Sequence, residues 1–257
     1  MRIEDRHPDL DVELHRQVAI VEIRRPPHNY LDAGLIAGIA DLYEDLGAGG
    51  ACRAIVLAAA GKAFCAGIDH SKPDAADAVV AAVAREALRL FRTELPVVAA
   101  VQGAAVGGGL GLALSADFRV TCAEARYWPN FSLLGFHAGF GLTVTLPRLV
   151  GDQRAALLLY SGRRVTGENA VAFGLADVLV EQDRVRAHAI ALAEEIAEAS
   201  PIAVKSMRHT LRRDLIDALE AAMARELHEQ TWQRRTCDFA EGTRAMAERR
   251  TPRFSGR

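Results

Sequence analysis

Two short stretches of the chain put bare backbone where a ligand could reach it. Gly61–His70 reads GKAFCAGIDH, and Val101–Asp117 reads VQGAAVGGGLGLALSAD. Each follows an apolar, strand-like run and leads into a helix-like one. A helix N-terminus presents unpaired N–H groups and a partial positive charge, and glycine lets a ligand approach that backbone closely. Two such ends aimed at one oxygen form an oxyanion hole, in which preorganised donors stabilise charge developing on a carbonyl. Glycine-rich turns before helices also occur as packing devices, so that reading stands beside the chemical one. A dinucleotide fingerprint does not fit, because GAAVGGG lacks the G-x-G-x-x-G spacing after the first strand.

The side chains able to move a proton near these loops are few. His137 sits in GFHAGFG among small and apolar residues. Histidine exchanges protons most readily near neutral pH, so His137 reads either as an acid/base or as a packing residue. Asp69 caps or fixes its loop, and His70 faces a ligand or solvent. Cys65 has no evident base beside it and reads as packing. Asn130, Ser132, Tyr127 and Trp128 are candidates for lining a pocket, and the basic Arg249, Arg250 and Arg253 for meeting phosphates.

The elements that must position these groups alternate. VELHRQVAIVEIRRP reads as a strand or hairpin stopped by Pro26 and Pro27. From Asp32, a fitting N-cap, Leu35, Ile36, Ile39, Leu42, Tyr43 and Leu46 recur at helical spacing. CRAIVLAAA has the unbroken apolar character of a strand covered on both faces. DAADAVVAAVAREALRLFRTE is amphipathic, VVAAVQG is a second buried strand, DFRVTCAEARYWP a further short strand and turn, and Val178–Val180 a last strand. This order predicts an α/β fold with parallel βαβ units. From Asp183 the chain is helical, with an apolar stripe through Leu215, Leu219, Met223 and Leu227 that predicts a partner surface and hence an oligomer.

Composition narrows the partners. The chain has 257 residues and a net charge of -2, enough for one large core and without a basic footprint for nucleic acid or an anionic membrane. Cys52, Cys65, Cys122 and Cys237 form no CxxC pair, which predicts no zinc knuckle or disulfide framework and suits a reducing compartment. The first residues lack an apolar leader, and no run of ~18 uncharged apolar residues occurs. A cytoplasmic protein with no membrane or nucleic-acid partner is expected.

Taken in order, GKAFCAGIDH, VQGAAVGGGLGLALSADFRV, LLGFHAGFGLTVTLPRLVG, GRRVTGENAVAFGLADVLV and DFAEGTRAMAERRTPRF resemble the crotonase, or enoyl-CoA hydratase/isomerase, superfamily. The resemblance implies a crotonase-like spiral of ββα units over residues 1–200 and a C-terminal helical region, 201–257, that trims the pocket and mediates trimers or dimers of trimers. It implies acyl-CoA thioesters as substrates, with coenzyme A carried by the substrate and no separate cofactor or metal. The N–H groups of Ile68 and Gly108 fall at the family's oxyanion positions. His28, Asn29, Ala66, Asp69 and His70 fall in the segments that meet coenzyme A and the acyl group. The two glutamates of the family's hydratases fall at Gly111 and Phe131, so both carboxylates are absent and His137 is the remaining candidate proton carrier. The expected protein is an acyl-CoA enzyme with nonstandard proton chemistry; the alternative is a catalytically silent CoA-binding scaffold.

Overall fold

The computed structural model describes residues 7–69 and 77–257, so the expected site residue His70 lies outside the described residues. The first strands, β1 (Leu10–His15) and β2 (Val18–Ile23), form an antiparallel hairpin that pairs Leu10 with Ile23 and His15 with Val18. Every residue of β2 is buried, as the unbroken VAIVEI run demands of a strand covered on both faces. Helix α1 (Ala33–Gly49) starts where Asp32 accepts a 2.8 Å hydrogen bond from the Leu35 N–H, and it ends at left-handed Gly50. Then follow β3 (Ala54–Ala59), α2 (Asp77–Arg92), β4 (Val97–Val101), β5 (Ala104–Val106) and α3 (Gly108–Ser115). Next come β6 (Phe118–Thr121), β7 (Arg126–Trp128), α4 (Phe131–Leu134), α5 (Leu142–Val150) and α6 (Asp152–Ser161). The chain finishes with β8 (Val165–Thr166), α7 (Gly167–Phe173), β9 (Val178–Leu179), α8 (Val185–Glu198), α9 (Pro201–Gln233) and α10 (Cys237–Ala247).

The strands fall into two sheets, one ordered β1-β2-β3-β4-β6-β9 and a smaller one ordered β5-β7-β8. From β2 to β9 the larger sheet is parallel. Two passages visit the large sheet, the small sheet and a helix, β4-β5-α3 and β6-β7-α4, the ββα unit of the spiral, and after β3 an isolated bridge at Cys65 stands in for the small-sheet strand. Two stretches of the chain therefore divide between the sheets. VVAAVQGAAV breaks at Gly103, where a Cβ would lie 1.8 Å from the Lys62 carbonyl oxygen, and DFRVTCAEARYW contains two strands in different sheets.

Helix α8 seals the large sheet with Val185, Ala189, Ala193 and Ala197, small residues every four positions that let helix and strands approach closely. The 33-residue α9 is one continuous helix crossing α2 and α5. It also corrects the expected partner surface: Leu219 and Met223 are buried within this chain, beside Gly141. That part of the stripe is already covered, and the apolar side chains that α9 leaves exposed are Ile202, Met207, Leu211 and Trp232. Among the described residues, no helix is long and apolar enough to cross a membrane.

Candidate functional site

The two glycine loops interlock. Cys65 and Ala105 form a parallel bridge, with the Cys65 N–H donating to Ala104 O and the Val106 N–H to Cys65 O, both at 2.9 Å. That contact explains two glycines sterically. A Cβ on Gly109 would lie 2.1 Å from Cys65 O, and one on Gly67 would lie 2.6 Å from Val106 O at a φ of +81°. The same position on Gly67 is 3.5 Å from the Gly108 nitrogen, so the loop ends carrying Ile68 and Gly108 are neighbours. Among the described residues, neither the Ile68 nor the Gly108 N–H donates to a backbone acceptor outside regular structure, and Gly108 opens α3, where no intrahelical acceptor exists.

Both residues line one cavity, together with Ala66, Asn130, Phe131 and Phe140. Its wall is mostly apolar. Asn130 precedes α4 without capping it, and its Oδ1 lies 3.2 Å from where a Gly107 Cβ would stand. The amide is thus turned toward the glycine loop. Gln230 and Arg234, at the end of α9, close the far side. The Gln230 amide donates to His137 O at 2.8 Å, and Arg234 stacks 5.6 Å from the Phe239 ring. Among the described lining residues, none is Asp, Glu or His.

Several expected site residues stand elsewhere. Gly111 does not line the cavity: a Cβ there would lie 2.5 Å from the Phe140 Cβ and 2.6 Å from its ring carbons. Phe140, at a left-handed φ of 60°, occupies the space a side chain at 111 would enter. Phe131, by contrast, does line the cavity, with its ring 5.4 Å from that of Phe136. His137 is also displaced. Its ring lines a second cavity with Ser132, Trp232 and Gln233, its Nδ1 lies 2.7 Å from Ala138 O, and the Phe136 ring forms a wall common to both spaces.

The Asn29 side chain is committed to the fold. It is fully buried and donates to Ala60 O at 2.8 Å and Ala63 O at 2.9 Å while accepting from the Arg25 N–H. It holds the first loop in place from the segment before α1. His28 is exposed and receives the Ala66 N–H on its carbonyl at 2.9 Å, so it shapes the same loop through its backbone. Asp69 is half-buried and outside the cavity lining; burial and then its charge push the Tyr30 hydroxyl pKa up. Cys65 is sealed in the core, and burial pushes its thiol up to about 12, as a packing residue requires. Cys52 and Cys122 are buried as well, whereas Cys237 is exposed.

The sequence reading missed what α9 brings. Glu226 is only 2% exposed, and its carboxylate accepts from the Gly141 N–H at 2.8 Å, the Thr143 N–H at 3.1 Å and the Thr143 hydroxyl at 2.5 Å. Burial raises its pKa despite those donors. It ties α9 to the loop that carries Phe140. A signal was present: a glutamate within the apolar spacing Leu219, Met223 is a buried position that needs donors. Among the described residues, no three His, Cys, Asp or Glu side chains group as metal ligands.

Comparisons with known proteins agree with this architecture. A family described as enoyl-CoA hydratase/isomerase matches residues 13–257. The (E)-benzylidenesuccinyl-CoA hydratase of Thauera aromatica is 31% identical over 95% of this chain and 98% of its own. The crystal structure of an enoyl-CoA hydratase/isomerase from Pseudoalteromonas atlantica superposes with a TM-score of 0.88 at 30% identity, covering 96% of this chain and 100% of that one. An enoyl-CoA hydratase from Mycobacterium avium subsp. paratuberculosis gives 0.85 at 27% identity, over 96% and 98%. A ββα spiral, paired glycine loops and a match from the first strand to the last residue lead to one conclusion: the chain belongs to the enoyl-CoA hydratase/isomerase family.

Proposed function

We propose that this protein acts on an acyl-CoA thioester whose carbonyl oxygen sits between the N–H groups of Ile68 and Gly108, where an enolate is stabilised. The observation that carries this reading is the pair of neighbouring loop ends with undirected N–H groups on one apolar cavity. Water held for addition to a double bond needs two or more polar partners. Phe131 and Phe140 fill the places where the family's carboxylates would supply them. Ordinary hydration of crotonyl-type thioesters is therefore slow. Chemistry that reaches the enolate without a carboxylate base fits better, namely loss of carbon dioxide from an α-carboxyacyl (malonyl-type) thioester, in which the electrons of the breaking C–C bond become the enolate, which then takes a proton from solvent at its α carbon. His137 is no longer the proton carrier in this reading, because it opens on another cavity.

Coenzyme A arrives with the substrate, and no separate cofactor takes part. A homotrimer or dimer of trimers is the assembly we favour, supported by the exposed Ile202, Met207 and Leu211 on α9. The free cysteines suit the cytoplasm.

A panel of crotonyl-, malonyl- and methylmalonyl-type thioesters, followed by mass change, tests the reading. Loss of carbon dioxide from the carboxylated members is expected, and Ile68→Pro, which deletes one donor, lowers that turnover by about 10²–10³-fold with circular dichroism unchanged. Rapid crotonyl hydration contradicts the base-free reading. Binding without turnover of any member makes the protein a CoA-binding scaffold instead.

A further inference from the structure

Away from the acyl cavity, the N-terminal half of α9 brings two arginines against the ends of α2 and α3. Arg208 is 8% exposed; its Nε donates to Asp117 Oδ2 at 2.9 Å and its Nη1 to Thr93 O. One turn on, the Arg212 Nε lies 3.2 Å from Asp117 Oδ1, and its Nη2 donates to Ser115 O at 3.0 Å and Ala116 O at 3.3 Å. Asp117 also accepts the Val97 N–H at 2.8 Å. Fully buried Arg119 completes the group, reaching Asp177 Oδ2 at 3.1 Å and Asp117 O at 3.3 Å.

This network leaves a set of orphans. Arg208 Nη2, Arg212 Nη1, the Tyr43 hydroxyl and the Thr93 hydroxyl are buried without a hydrogen-bond partner among the described residues. They belong to one neighbourhood. Thr93 receives Arg208 on its carbonyl, the charges acting on the Tyr43 hydroxyl are those of Arg208 and Asp117, and those acting on Arg212 are Asp117, Arg208 and Arg119. Leaving even one such group unpaired in the interior costs ~1–3 kcal/mol, so four together call for an occupant.

The chemistry of the orphans identifies it. The two guanidinium nitrogens only donate, and the two hydroxyls can donate as well, so the occupant must accept. The cluster sets three guanidiniums, Arg119 and Arg208 buried and Arg212 half-buried, against two carboxylates, half-buried Asp117 and exposed Asp177, a surplus of one positive charge. A water would accept from some of these donors and leave the surplus uncompensated. Burial, reinforced by Arg208 and Arg119 against the pull of Asp117, pushes the Arg212 pKa down to about 10.

We propose that a small monovalent inorganic anion of the halide class binds among Arg208, Arg212, Tyr43 and Thr93. Tyr43 and Thr93 also line a cavity rimmed by Glu44, Arg89, Arg92 and Glu94, which gives the ion a route from solvent. The rim carboxylates are already engaged. Arg89 holds Asp41, Glu44 and Glu86, Arg92 holds Glu220 and Lys205 holds Glu94. Most of these are exposed enough for salt to screen them. The anion pins the first half of the helix whose second half carries Gln230, and whose end carries Arg234, to the acyl cavity.

The test is thermal unfolding of the intact protein at constant ionic strength, with sodium gluconate replaced stepwise by sodium bromide. A saturable rise in Tm of roughly 3–5 °C is expected at ten times the dissociation constant. Tyr43→Phe and Thr93→Val remove donors that have no protein partner. Neither lowers Tm in gluconate, and both blunt the rise in bromide. Crystals grown in bromide show an anomalous peak within hydrogen-bonding reach of Arg208 Nη2 and Arg212 Nη1. A Tm indifferent to bromide overturns the proposal, as does a loss of Tm that is equal in both salts for the two variants, or ordered water without anomalous signal at the site.

Discussion

The two walls of the acyl cavity are built on different principles. One is backbone: Ala66, Gly67, Ile68, Gly107 and Gly108 present main-chain atoms, and Gly67 is dictated by the Val106 carbonyl oxygen, 2.6 Å from where its Cβ would stand. The other is side chain: Phe131, Phe136 and Phe140 present rings whose positions depend on a left-handed residue, a short helix and a buried glutamate on a distant helix. A backbone wall tolerates almost no substitution and keeps its electrostatics. An aromatic wall can be rebuilt, and in this chain its described members include no carboxylate. Gly108 and Gly111, three residues apart on α3, show both regimes, since the first lines the cavity and the second is filled by Phe140.

The comparison breaks first on the backbone side. Gly109→Ala drives a methyl group to 2.1 Å from the Cys65 carbonyl oxygen and separates the two loops. A loss of about 4 kcal/mol or more, or failure to fold, is expected in denaturant unfolding. Gly111→Glu, on the rebuilt side, overpacks against Phe140 and costs about 1–3 kcal/mol without bringing hydratase activity. Its cost combined with Phe140→Ala falls below the sum of the two single changes by a similar amount, because the ring is what the new side chain meets.

How far the sequence disclosed this design follows the same division. GKAFCAGIDH and VQGAAVGGG announce the backbone wall because glycine patterns record close approach directly, and the alternation of apolar runs and amphipathic helices announces the parallel sheet. The aromatic wall stayed hidden. His137 was a reasonable candidate on residue type, but a one-residue change of direction in GFHAGFG sends its ring into the next cavity and Phe140 into the space above Gly111. Gln230, Arg234 and Glu226 are some 90 residues further along the chain, and nothing local in ARELHEQTWQRR tells which face of α9 meets the pocket. Of the stripe expected to meet a partner, Leu219 and Met223 are buried within this chain while Leu215 and Leu227 stay half-buried, because periodicity gives a face and not what covers it.

Smaller effects sharpen the aromatic side. Glu226→Gln loses acceptors for the Gly141 and Thr143 donors and lowers stability by about 2 kcal/mol. The deficit depends on pH. Burial raises the Glu226 pKa in the folded state, so the parent's stability from this group is full below the ordinary value of 4.5 and is lost as pH rises through the raised value. The gap between parent and variant is therefore widest below pH 4.5 and narrows as pH rises through the raised value in denaturant unfolding series. His137→Ala has the smallest effect, less than about threefold on kcat/KM, since its ring is across Phe136 from the reacting carbonyl.

The central claim is that two backbone donors, from Ile68 and Gly108, hold the thioester oxygen. A crystal structure with a non-hydrolysable acyl-CoA analogue tests it most directly. The account predicts the carbonyl oxygen at roughly 2.7–3.1 Å from both nitrogens, with the acyl chain running toward Phe131 and Gln230. A carbonyl bound elsewhere in the cavity, or either nitrogen turned to a protein acceptor instead, would contradict it.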